Sequence, residues 1–112
     1  MNAGNIFAYI GACAAYKHGE AWRREMLDYV QGNINYVADF LKNNISQIVP
    51  MIPEASFLMW LDCEKLGMDT DELHKFFALK AGLGLNKGTI FGEGGEYHLR
   101  LNVACSRRIL EQ

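Results

Sequence analysis

Proline is scarce, with 2 residues in 112, and cysteine is nearly so, with 3. Cys13, Cys63 and Cys105 are odd in number, far apart and set among apolar neighbours, with no C-x-x-C pair. This argues against a disulfide framework and predicts reduced core thiols. A zinc site needs four ligands at short spacing, and His18, His74 and His98 stand too far apart to build one, so no metal site is expected. An excess of one charge is also missing, since 11 Lys and Arg stand against 13 Asp and Glu for a formal net charge of −2. Without a positive field, nucleic acid and anionic membrane surfaces are not expected partners. No charged start followed by an apolar run marks a leader peptide, and no apolar run approaches a bilayer span. The chain is therefore read as cytoplasmic.

Apolar residues make up 50% of the chain, enough for one core in one compact unit. From Asn5 to Tyr16 the sequence carries no charge and is rich in Ala and Ile, so as a helix it would be apolar on nearly every face. So short a chain can hardly cover such a helix, which hints at a missing partner. Over Glu20–Asn44 the apolar residues Leu27, Val30, Ile34, Val37, Leu41 and Ile45 recur at steps of three and four, predicting one long amphipathic helix with a bend allowed at Gly32. Pro50 and Pro53 then forbid helix and favour an extended crossing.

Ser56 to Asp62 reads as a strand with both faces buried, Phe57, Met59 and Leu61 on one and Leu58 and Trp60 on the other. After a turn at Leu66-Gly67, Asp69 or Thr70 caps a second helix through Leu73, Phe76 and Phe77 to Gly82. Glycines then frame short extended pieces at Leu83–Leu85 and Thr89–Phe91. A final strand follows from Tyr97 to Val103, and Ser106 caps a further helix. The fold expected is α/β (α+β): a small, mostly antiparallel sheet covered by helices and led in by a long helix. Residues 1–46 form the helical lead-in, and residues 47–112 the small αβ domain.

In the last strand, His98, Arg100 and Asn102 point one way and Leu99, Leu101 and Val103 the other. The polar side is either a solvated face or a site, because the planar fork of Arg100 can bind a carboxylate bidentately from a rigid element. The glycine-rich stretch 88–96 lacks G-x-x-x-x-G-K-[ST] and precedes a strand, so neither phosphate-cradle geometry applies, and it reads as a connection or a closing loop. Lys87 has turn-forming neighbours that imply exposure, against a Schiff-base role. Cys63 and Cys105 with His98 offer a thiolate and base in principle, but both cysteines follow apolar strand residues and read as core.

Taken together, Glu54–Cys63 (EASFLMWLDC), Gly84–Gly92 (GLNKGTIFG), His98–Cys105 (HLRLNVAC) and Tyr16–Trp22 (YKHGEAW) resemble the C-terminal portion of fold type I pyridoxal-phosphate enzymes. Within the class I/II aminotransferase-like branch, they are most similar to the cystathionine β-lyase or C-S lyase group of MalY and PatB proteins. The resemblance implies the small C-terminal domain of the aspartate aminotransferase-like fold. It gives Arg100 the α-carboxylate of an amino-acid substrate and puts Ile90, Phe91 and Gly92 at the active-site entrance. It implies pyridoxal phosphate in a longer, homodimeric parent whose large N-terminal domain carries the Schiff-base lysine. No catalytic or cofactor-binding residue is then expected in this chain, which would bind no cofactor alone, and Met1 reads as the start of a truncated piece. The parent would be a lyase acting by α,β-elimination on L-cysteine S-conjugates. Alternatives are an aminotransferase or, in a different class, a stand-alone binding module. Ser106 stands where the group usually has Pro, which loosens the turn after the strand without touching Arg100.

Overall fold

Apolar side chains spaced by three and four make one stripe along a helix, and here that stripe seals a sheet. In the computed structural model, which describes residues 4–112, the long helix α2 runs unbroken over Glu20–Asn44. Val30, Ile34, Val37 and Leu41 are buried along it. Leu27, on the same predicted stripe, is 45% exposed and lies outside the buried stretch. In the first turn Glu20 bonds Arg23 and Arg24, each at 2.8 Å, and these guanidinium groups pull its carboxyl down to about 2. Met1, read above as a truncated start, lies outside the described residues.

Helix α1, Ile6–His18, starts where Asn5 Oδ1 accepts the Phe7 N–H at 2.8 Å, and ends at Gly19. None of its residues is buried; Phe7 is 78% and Tyr16 92% exposed. The chain is correspondingly extended, with a radius of gyration of 17.4 Å. A compact domain of this length would have about 13 Å.

The sheet contains β1 (Val49–Met51), β2 (Leu58–Asp62), β3 (Asn86–Lys87) and β4 (His98–Asn102) in the order β1-β2-β4-β3, each neighbouring pair antiparallel. Pro50 sits in β1 at the edge, where a missing backbone donor is tolerated. Helix α3, Thr70–Leu79, opens on a capping box between Asp69 and Glu72. The short α4, Arg107–Leu110, closes the described chain. The expected antiparallel sheet with helical cover holds.

Met59, Leu61 and Leu99 face the core with Leu73, Phe77 and the α2 stripe. The expectation that both faces of the Ser56–Asp62 strand are buried fails: Leu58 and Trp60 are only half-buried, because the core lies on one side of the sheet, and Phe57, which precedes β2, is 40% exposed. The extended pieces expected at Leu83–Leu85 and Thr89–Phe91 also fail. The sheet takes only Asn86–Lys87, and Gly88–Phe91 is a 3₁₀ turn with no facing strand.

One buried polar group joins helix to sheet. Asn33 is fully buried on α2, and its Nδ2 donates to the carbonyls of Val103 at 2.8 Å and Cys105 at 2.9 Å, just past β4. Its Oδ1 accepts from Arg107 Nε at 3.0 Å. The Arg107 guanidinium lies 4.5 Å from the Tyr36 ring centre, and its backbone N–H donates to the Tyr29 hydroxyl at 2.7 Å. Ser106 occupies the cap position without a side-chain capping bond, and the Tyr29 hydroxyl takes the N–H of the first helical residue. Replacing Asn33 by Ala leaves two carbonyls and a guanidinium N–H without their partner, with an expected loss of about 2–3 kcal/mol. Urea unfolding of N33A should show a lower midpoint at an unchanged slope.

Candidate functional site

Directly opposed residues in an antiparallel sheet share a face, so the register assembles the candidate site. Trp60 on β2 and Asn86 on β3 both pair with Arg100 on β4. All three project from the face opposite the core. Arg100 Nη2 donates to Asn86 Oδ1 at 3.1 Å, and the guanidinium carbon sits 4.4 Å from the centre of the Phe91 ring. Phe91 meets Trp60 edge-on at 5.6 Å and 71°. His98 stacks on Trp60 at 5.6 Å and 20°, while its Nδ1–H donates to the Glu96 carbonyl at 2.7 Å. Among the described residues, no carboxylate forms an ion pair with Arg100. The guanidinium is thus held on an aromatic support with charge to offer.

The turn that brings Phe91 under Arg100 depends on two glycines. The backbones of Gly88 and Gly95 pass so closely that a Cβ on Gly88 would overlap the Gly95 carbonyl oxygen, and one on Gly95 would overlap the Gly88 carbonyl. This contact closes the 88–96 segment into a folded turn. Of the three residues expected at an entrance, Phe91 reaches Arg100, while Ile90 is 64% exposed in the same 3₁₀ turn and Gly92 terminates it.

The other candidates separate from this cluster. Lys87, next to Asn86, points to the opposite face and pairs with Asp71 of α3 at 2.6 Å, so it is more engaged than its turn-forming neighbours imply. Cys63 is buried, with its thiol on the Leu61 carbonyl at 3.8 Å, whereas Cys105 is only partly buried. Neither makes a hydrogen bond to His98. Cys13 is exposed, a correction to the core reading, because α1 has no cover. Among the described residues, no group of three or more His, Cys, Asp or Glu could hold a metal ion, and no helix is long and apolar enough to cross a membrane. A shallow apolar hollow lined by Tyr9, Ile10, Cys13 and Ala14 lies on α1, not at Arg100.

Sequence reasoning missed Asn86 as a neighbour of Arg100. It lies in a glycine-framed stretch, and only the β3–β4 register brings the two together. Trp60 was visible as an alternate strand residue, but its place beside Arg100 needed the β2–β4 register.

Substitution of Gly88 or Gly95 by Ala should destabilise the chain by about 1–3 kcal/mol through overpacking. Gly11→Ala, where an added methyl meets nothing within 4 Å, should be neutral or stabilising. Urea denaturation of the three variants checks both outcomes.

Burial, then the nearby Asp62 charge, raise the Cys63 thiol from 9.0 to about 11. A raised folded-state value means this contribution to stability is intact below pH 9 and is lost as pH rises through 11. Unfolding midpoints should therefore fall between pH 9 and 11, and Cys63→Ala should flatten that fall. At pH 8 iodoacetamide should label Cys13 rapidly and spare Cys63 until the chain unfolds.

No family model matches the chain. It is 36% identical over 107 residues to the cystathionine β-lyase PatB of Bacillus subtilis strain 168, covering 96% of this chain and 28% of that protein. It is 29% identical over 112 residues to the protein MalY of Escherichia coli K12, covering all of this chain and 29% of that one. Among solved structures, the pyridoxal-phosphate-bound C-S lyase of Staphylococcus hominis superimposes with a TM-score of 0.85 at 32% identity, over 98% of this chain and 30% of that one. The chain thus spans under a third of the length of the relatives it matches. In sequence and in fold the chain fits a C-terminal fragment of the group formed by the cystathionine β-lyases, C-S lyases and similar pyridoxal-phosphate-dependent aminotransferase-like proteins.

Proposed function

We propose that this chain is the carboxylate-binding small domain of a longer C-S lyase that acts on L-cysteine S-conjugates such as cystathionine. Residues 1–46 would join it to a large domain, and residues 47–112 would form the small domain. The observation that carries the reading is the guanidinium of Arg100: supported by Phe91, turned outward from the sheet and without a carboxylate partner among the described residues. An amino acid's α-carboxylate fits that fork bidentately.

Pyridoxal phosphate, when bound in the whole protein, supplies the electron sink for negative charge at Cα while the thiol leaves Cβ. The lysine nearest this site in sequence does not fit the cofactor, because the Lys87 ammonium engages Asp71 on the opposite sheet face. The cofactor, its lysine and its phosphate cradle are therefore assigned to the large domain, and this chain alone is proposed to bind none. The contribution of the chain is orientation. By fixing the carboxylate, Arg100 limits rotation about the Cα substituents and aligns them for reaction. Ile90, Phe91 and Gly92 would line the entrance, with Ile90 more exposed than Phe91. A cytoplasmic, homodimeric parent completes the proposal.

An aminotransferase would use the same grip, and a stand-alone binding module would also account for the bare α1. The coding sequence immediately upstream separates the module from the enzyme: a lysine-bearing domain is expected there, and an in-frame stop would overturn the reading. In the longer protein, release of pyruvate and free thiol from cystathionine identifies a lyase, whereas transfer of the amino group to a keto acid identifies an aminotransferase. Arg100→Ala should lower kcat/KM for the amino acid about 10- to 100-fold, equivalent to roughly 1.5–3 kcal/mol of charged hydrogen bonding. Unchanged kinetics would remove Arg100 from the site.

A further inference from the structure

We infer that Asn86 is a second hand on the substrate carboxylate: it positions Arg100 and donates its own amide N–H to the same acid group. This inference rests on the carboxylate-binding reading above and adds a residue that the resemblance did not single out. The argument begins with donor chemistry. A guanidinium has N–H donors and no acceptor, so an amide beside it must turn its oxygen inward. Asn86 does this, with Oδ1 at 3.1 Å from Arg100 Nη2. Its Nδ2 group is then directed away from the guanidinium, on the open side of the sheet, and makes no hydrogen bond among the described residues. Guanidinium and amide donors together make a composite edge suited to the two oxygens of one carboxylate.

The backbone gives this edge its direction. β3 has only two residues, which point to opposite faces. Lys87 is tied on the core side to Asp71 of α3 at 2.6 Å, and the register sets Asn86 opposite Arg100. The next residue, Gly88, is locked against Gly95 in the turn that carries Phe91. Phe91 lies against the guanidinium at 4.4 Å, and Asn86 meets it at Nη2. The two contacts limit the rotation of a long side chain that would otherwise lose entropy on binding.

Steady-state kinetics of the longer enzyme test the inference with Asn86→Ala, Asn86→Asp and Arg100→Ala, reporting kcat and KM separately. Asn86→Ala should raise KM about three- to tenfold with kcat within about twofold, the range expected for one hydrogen bond. Asn86→Asp keeps an oxygen for Arg100 and nearly the same shape, but exchanges the outward N–H donor for a negative oxygen that also pairs with the guanidinium. An acid group seated against both side chains is then repelled by one and deprived of the other. Asn86→Asp should therefore raise KM more than Asn86→Ala, by about tenfold or more. The preference of the enzyme for an S-substituted L-cysteine over its carboxamide should also fall in both variants. An Asn86→Asp enzyme with near-normal KM and acid preference, beside an impaired Arg100→Ala, would overturn the role of Asn86 alone. An Arg100→Ala enzyme with normal KM would overturn the underlying carboxylate reading as well.

Discussion

The structure depends on a buried amide. Asn33 lies on the apolar stripe of α2, fully removed from solvent, and there an unpaired polar group would cost more than a hydrogen bond returns. Its cost is offset because the backbone leaving β4 presents the carbonyls of Val103 and Cys105 at hydrogen-bonding distance, and Arg107 completes the set. The same bonds fix the end of β4 against α2. Arg100 lies three residues before the first of these anchors, on a strand hydrogen-bonded to neighbours on both sides. Its backbone is accordingly determined by core contacts that never touch the guanidinium.

Alternation along β4 then separates the core face from the candidate site. Leu99 and Val103 are buried and bind the strand to the core, while Arg100 projects from the other side. The aromatic cluster beneath it contributes modestly to stability, since a cation–π contact at an exposed position is worth about 0.5–1 kcal/mol. Its larger effect is geometric. Trp60 supports Phe91, Phe91 supports the guanidinium, and the Gly88–Gly95 contact holds the turn in place. A substitution distant in sequence, at either glycine, therefore acts on the site through the turn.

The uncovered α1 fits the relationship to longer relatives. A helix uncharged from Ile6 to Tyr16, with Ile6, Phe7, Tyr9 and Ile10 exposed, does not repay its apolar surface within this chain. The relatives are more than three times as long as the aligned portion, and in our proposal the large domain covers that surface.

Much of the fold was legible from residue order because it follows from local periods. The α2 stripe needed only steps of three and four, α3 only a capping residue at Asp69 or Thr70, and β4 only its alternation, which already separated Arg100 from Leu99. The similarity of four short motifs also named the family that the comparisons support. What local pattern cannot supply is register and cover. Whether the outer face of β2 is buried depends on what packs against the sheet, and Cys13 became exposed for the corresponding reason on α1. Sequence alone thus determined which residues share a strand face and which helix is amphipathic, because those depend on neighbours along the chain. Tertiary structure decided that Asn86, Phe91 and Trp60 surround Arg100 and that Asn33 holds the end of β4, because those contacts join segments whose separation in sequence carries no information about their distance in space.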